Sequence, residues 1–92
     1  MTDPGRIRVL VVDDHGVVRR GLRGYLELLD DIEVVGEAEN GLRGVELAEE
    51  LEPDVVLMDL VMPELDGIGA TRKIVKARPE QIIILLTSAV VT

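Results

Sequence analysis

Val55-Val56-Leu57-Met58-Asp59, followed by Leu60-Val61-Met62-Pro63-Glu64-Leu65-Asp66-Gly67, is the stretch whose reading decides the fold. The apolar run is too short for a helix and ends in one carboxylate. A Pro and a Gly follow within eight residues, so the run reads as a buried strand that delivers Asp59 to a loop. The same pattern precedes and follows it. Ile7 to Val12 is apolar and β-branched, interrupted only by Arg8, and stops at Asp13-Asp14-His15-Gly16. Ile82 to Leu86, opened by Gln81, closes on Thr87-Ser88. Each reads as a further strand ending in a polar loop.

Between these runs the apolar spacing becomes helical. From Val17, the residues Val18, Leu22, Tyr25 or Leu26, and Leu29 form a stripe, with Arg19, Arg20, Arg23 and Glu27 elsewhere. Gly21 and Gly24 weaken this first helix and Asp30-Asp31 ends it. Ile32 to Ala38 is a second strand, more exposed than the others, before the break at Asn40-Gly41. Leu42, Val45, Ala48 and Leu51 define a second helix that Pro53 terminates, and the third strand runs from about Asp54 to Asp59. Ile68, Thr71, Ile74 and Val75 line a third helix, with Arg72, Lys73, Lys76 and Arg78 outward until Pro79. Strand and helix therefore alternate from end to end. Right-handed crossovers turn that alternation into an α/β fold, a parallel sheet with helices on both faces.

Composition narrows the function. Ninety-two residues, 1–92, amount to a single domain. The chain is 47% hydrophobic with Tyr25 as its one aromatic residue, so Val, Leu, Ile, Met and Ala must fill the core, as suits strands buried on both faces. No Cys is present, which excludes disulfides and thiolate metal sites. A net charge of −8 repels a phosphate backbone, so direct nucleic-acid binding by this segment is not expected. Neither a secretory signal nor a membrane-length apolar stretch is evident, and the expected location is the cytoplasm.

Open parallel sheets bind ligands at the carboxyl ends of their strands, where strand order reverses. Those ends carry Asp13 and Asp14 after the first strand, Asp59 after the third and Thr87 after the fourth. Any one Asp after a strand is explained by turn preference. Three, with a hydroxyl, point instead to a cleft of mutually repelling carboxylates that needs a hard cation. Mg2+ suits them, being held by one or two carboxylates together with phosphate oxygens. His15, beside the pair, reads as a solvent-facing helix start rather than a ligand. The Arg19-Arg20-Arg23 cluster reads as a solvated helix face. Met58 and Met62 read as packing.

In order and spacing, Val9-Leu-Val-Val-Asp-Asp14, Met58-Asp59-Leu-Val-Met62-Pro63-Glu-Leu-Asp66-Gly67 and Leu86-Thr87-Ser88 resemble the receiver domain of bacterial two-component response regulators. The likeness covers almost the whole chain. Asp13-Asp14-His15-Gly-Val-Val-Arg-Arg-Gly21-Leu further resembles the NarL/FixJ (LuxR-type) branch, whose receivers precede a helix-turn-helix DNA-binding domain. The resemblance implies a flavodoxin-like, doubly wound sheet of order 2-1-3-4. It makes Asp59 the acceptor of a phosphoryl group from a sensor histidine kinase or small phosphodonor. Mg2+ would sit on Asp13, Asp14, Asp59 and the backbone carbonyl of Val61, and Thr87 would hydrogen-bond a phosphoryl oxygen. The domain would be a self-modifying phosphoprotein rather than an enzyme.

A complete receiver also has a fifth strand, two further helices and a Lys at the end of that strand; these 92 residues are expected to lack them. Lys73 and Lys76, on the third helix, are expected to face away from the site. The apolar edge Ile82-Ile83-Ile84-Leu85-Leu86 then invites self-association. Phosphorylation of the segment alone is expected to be slow or absent. The competing class is a truncated receiver-fold interaction or structural module without that activity. A nucleotide-binding enzyme fails because neither Gly-x-Gly-x-x-Gly nor a Walker-type loop follows any strand. A dehalogenase-type phosphatase would need Asp where Val61 sits.

Overall fold

The computed structural model describes residues 5–62 and 65–86. Its elements run β1 (Ile7–Val12), α1 (Gly16–Glu27), β2 (Ile32–Ala38), α2 (Gly41–Leu51), β3 (Val55–Asp59), α3 (Gly67–Ala77) and β4 (Ile82–Leu86). All pairings are parallel and the sheet order is β2-β1-β3-β4, so the described residues form a flavodoxin-like receiver sheet with three helices. The bounds of β1, β2 and β4 are those expected from the sequence, and β3 starts at Val55 rather than Asp54. Asp54 instead clasps the entry of β1: its carboxylate accepts from the Arg8 amide at 2.8 Å, and its own amide donates to the Arg8 carbonyl at 2.9 Å.

Alternation along the inner strands divides the core in two. Leu10, Val12, Val56 and Met58 point to the face covered by α2 and α3, where they meet Ala38, Leu47, Ala48, Met62, Ala70 and Ile74. Val9, Val11 and Val34 point to the other face and pack with Leu22 and Leu26 of α1. β1 and β3 lie inside the sheet; Val9 to Val12 of β1 are buried on both faces, whereas β3 buries Val56 and Met58 on one face and leaves Val55 and Leu57 half-buried on the other. β2 is an edge strand and carries a bulge: Val9 pairs with Val34 but Leu10 with Gly36.

The helical faces differ from the expected stripes. On α1, Leu22 and Leu26 touch the core, whereas Val18 and Tyr25 are largely exposed. On α2 the buried residues are Gly41, Gly44, Leu47 and Ala48, and Leu42 faces solvent; on α3 they are Gly67, Ala70 and Ile74, and Ile68 faces solvent. The cause is close packing on small residues. A Cβ on Gly44 would lie 2.9 Å from Val12 Cγ1, so α2 meets the sheet through a position that hydropathy counts as neutral. Helix ends follow local chemistry. Asn40 caps α2 through the Arg43 amide at 2.8 Å, and Asp66 caps α3 through the Gly69 amide at 2.7 Å. Glu52 closes α2 in a left-handed conformation ahead of Pro53.

Candidate metal and phosphoacceptor site

Register brings the acidic residues together. Val12 pairs with Met58, so the next residues of β1 and β3, Asp13 and Asp59, emerge side by side at the carboxyl edge. Both are buried, Asp13 to 4% exposure and Asp59 to 1%, while Asp14 is half-buried. The loop after Asp59 is tied down at several points. The Leu60 amide donates to the Leu86 carbonyl at 2.9 Å, the Gly67 amide donates to the Leu60 carbonyl at 3.1 Å, and the Val61 amide donates to Asp59 Oδ1 at 3.3 Å. A Cβ on Gly67 would collide with the Asp59 carbonyl oxygen; that close approach requires glycine where α3 begins.

Asp13, Asp14, His15 and Asp59 each offer one donor atom, and these atoms lie within 4.8 Å of one another. Asp13 Oδ1 accepts from the His15 amide at 2.7 Å, an Asx-type turn, and from His15 Nδ1 at 3.1 Å. The same ring nitrogen stands 3.0 Å from Asp14 Oδ1 and 3.8 Å from Asp59 Oδ2. The hydrogen bond to Asp13, then the charge of Asp14, raises the His15 pKa above the ordinary imidazole value. Asp14 Oδ1 and Asp59 Oδ2 are buried atoms without a hydrogen-bond partner among the described residues. Hard oxygen donors crowded together with unsatisfied lone pairs are what a divalent cation requires, so the residues present fit Mg2+.

The expected trio is therefore assembled, and Val61 lies beside it with its side chain exposed. Thr87 falls outside the described residues, as do Pro63, Ser88 and Ala89; the last described position of β4, Leu86, pairs with Asp59. Lys73 lies away from the carboxylates, beside a small apolar crevice of about 30 Å³ between α2 and α3. His15, expected to face solvent, is half exposed but turned onto the carboxylates. Arg19 is not part of a solvated face. Its Nη1 donates to the Asp13 carbonyl at 2.6 Å and its Nε to Glu37 at 3.1 Å, locking the acidic loop to the end of β2. Arg23 bonds Glu37 as well, and that guanidinium holds the Glu37 carboxyl below the ordinary range. Spacing contains the signal for Arg19: it shares the inward row of Leu22 and Leu26, three and seven residues on.

A buried aspartate beside two further acidic residues at the strand ends of a 2-1-3-4 parallel sheet is the arrangement of a receiver-type fold. The family model described as response regulator receiver domain matches residues 9–91, and the chain belongs to that family, on its NarL/LuxR side. It is similar to the transcriptional regulatory protein LiaR of Bacillus subtilis, 57% identical over 82 residues, which cover 89% of this chain and 39% of LiaR. It is also similar to the response regulator protein VraR of Staphylococcus saprophyticus, 48% identical over 82 residues, covering 89% of the chain and 39% of VraR. Among solved structures, the response regulator domain of Thermotoga maritima CheB superimposes with a TM-score of 0.86 at 44% identity, covering 90% of this chain and 61% of that one. A LuxR-family two-component response regulator from Aurantimonas sp. SI85-9A1 gives 0.88 at 36% identity, covering 92% and 61%. The chain thus spans about two fifths of the length of these curated relatives. No helix of the described residues is long and apolar enough to cross a membrane.

Proposed function

We propose that residues 1–92 form one receiver unit in which Asp59 accepts a phosphoryl group, and that the modified domain controls a DNA-binding output region elsewhere in the same cytoplasmic polypeptide. The observation that carries this reading is the environment of Asp59. It is a carboxylate exposed to only 1%, with one oxygen held by the Val61 amide and the other lacking a hydrogen-bond partner among the described residues. A buried, half-satisfied carboxylate is costly for a docking module and useful for an acceptor, which favours phosphorylation over a purely structural role.

Asp13, Asp14, Asp59 and the Val61 carbonyl would hold Mg2+, which when bound neutralises the charge gathering on the transferred phosphoryl group. Asp59 Oδ2 attacks phosphorus as the P–N bond of a kinase phosphohistidine, or the P–O bond of an acyl phosphate, breaks. The leaving imidazole or carboxylate takes the electron pair, and no separate base is needed because a carboxylate oxygen is itself the nucleophile. Arg19 and the His15 amide keep Asp13 in place during this step. Thr87 would then donate to a phosphoryl oxygen. The partner supplying the group is a sensor histidine kinase. With a net charge of −8, the segment itself leaves DNA contact to the output region.

Intact mass of the full polypeptide after treatment with phosphoramidate and Mg2+ tests the reading. One phosphoryl group should be gained by the wild type and none by Asp59→Asn; equal gain by both sinks it. A second part of the proposal concerns the isolated 92 residues. In β4, Ile82, Ile84 and Leu85 are 58%, 48% and 43% exposed on the outer strand of the described sheet, an edge suited to self-association. A monodisperse monomer by light scattering at micromolar concentration would overturn that part.

A further inference from the structure

His15 is the sole histidine of the chain, which has no cysteine, so no other side chain can offer an imidazole or thiolate donor to a metal. Its position is not that of a simple hydrogen-bond donor. Nδ1 carries at most one hydrogen, and that hydrogen serves Asp13 Oδ1, which the His15 amide already satisfies at 2.7 Å. Asp14 Oδ1 nevertheless approaches the same nitrogen to 3.0 Å and Asp59 Oδ2 to 3.8 Å. Both of those oxygens are buried and without a hydrogen-bond partner among the described residues. Three carboxylate oxygens thus converge on a nitrogen that can satisfy one of them. A hydrogen bond from this nitrogen satisfies one of them and leaves Asp14 Oδ1 and Asp59 Oδ2 without donors.

A shared cation explains it better. Octahedral ligands about 2.1 Å from a metal lie about 3.0 Å apart along an edge and about 4.2 Å apart across the centre. The contacts of His15 Nδ1, at 3.1, 3.0 and 3.8 Å, fall within that range. We infer that His15 Nδ1 is a further donor at the acidic site, which makes it a mixed oxygen and nitrogen site that takes first-row transition dications in preference to Mg2+. The inference deepens, and rests on, the metal-binding part of the proposed function. The nitrogen gives up its hydrogen as it binds the metal, and Asp14 Oδ1 and Asp59 Oδ2 gain the partner they lack.

Calorimetric titration of the untagged protein with Co2+ and with Mg2+ tests it. Wild type should bind Co2+ at least about tenfold more tightly than Mg2+. His15→Ala should lose at least about tenfold in Co2+ affinity, the order of effect seen even for outer partners of a ligand. Its Mg2+ affinity, which draws on oxygen donors, should stay within about twofold. In the wild type, the ring proton resonances of His15 should undergo large paramagnetic shifts with Co2+, a readout that needs no variant to fold. The inference is overturned if His15→Ala binds both metals more tightly, which would make the imidazole a competing cation, or if both affinities fall equally. It is also overturned if the His15 ring resonances do not respond, or if wild type binds neither metal. Loss of phosphoryl gain in the mass assay would refute the signalling reading alone, since the Co2+ measurements do not depend on phosphorylation.

Discussion

The two faces of the sheet are built differently. Among the described residues, the face under α2 and α3 buries ten in one cluster, including Leu10 and Met58 at 0% exposure. The face under α1 buries three, and no residue of α1 itself is buried. One face is closed by close packing on small residues. The other is held by a single helix whose most specific contacts are polar, namely Arg19 on Glu37 and on the Asp13 carbonyl, and Arg23 on Glu37. The α2/α3 face carries stability, and the α1 face carries the orientation of the acidic loop.

Truncations on the two faces should therefore differ most. Leu10→Ala should cost about 3 kcal/mol in urea denaturation, since the side chain is fully enclosed and the cavity cannot collapse. Leu26→Ala, on a partly buried position of α1, should cost about 1 kcal/mol. Equal losses would show that α1 contributes as much to the core as its partners.

Glycine replacements should differ in sign. At Gly44 an added Cβ would meet Val12 Cγ1 at 2.9 Å and Cγ2 at 3.0 Å, so Gly44→Ala should destabilise by about 1–3 kcal/mol despite its better helix propensity. At Gly21 in α1 nothing lies within 4 Å of the added Cβ, so Gly21→Ala should stabilise by about 1 kcal/mol. Thermal midpoints measure both; a stabilising Gly44→Ala would mean that α2 is free to shift outward.

The same glycines show what could be read in advance. Strand ends were legible because apolar runs stop at Asp13, Asp59 and Thr87, and with them came the topology and the meeting of Asp13, Asp14 and Asp59. Helix faces were less legible because hydropathy gives no weight to Gly44, Gly67 or Ala70, where backbone approach decides burial. His15 and Arg19 were missed because a polar side chain near a helix start is usually solvated. Only the fold shows that the first turn of α1 lies against the carboxylates, so that His15 Nδ1 reaches three of them and Arg19 reaches the Asp13 carbonyl.

If the α1 face orients the acidic loop, its two arginines should separate. Arg19 holds both Asp13 and Glu37, whereas Arg23 holds Glu37 and Glu27 without touching the loop. Arg19→Ala should weaken Mg2+ binding by about tenfold, the scale of an outer partner of a metal ligand. It should also speed hydrogen exchange at the His15 amide, which donates to Asp13 Oδ1. Arg23→Ala should leave both nearly unchanged. Equal effects would mean that general loosening of α1, not the Asp13 contact, is responsible.

The smallest effect is electrostatic. The Arg23 guanidinium, and then Arg19, hold the Glu37 carboxyl below its ordinary range, so folding favours the ionised form. A carboxyl lowered in the folded state stabilises above its unfolded pKa of about 4.3, and that contribution fades as pH falls through the folded value. Glu37→Gln should therefore cost stability at neutral pH, and the difference from wild type should shrink below about pH 4. The side chains of Arg23 and Glu37 are 44% and 22% exposed, so solvent screening limits the cost to under about 1 kcal/mol. A difference that stayed constant from pH 7 to pH 3 would show that Glu37 acts through packing, leaving Arg19 held to α1 by shape rather than by charge.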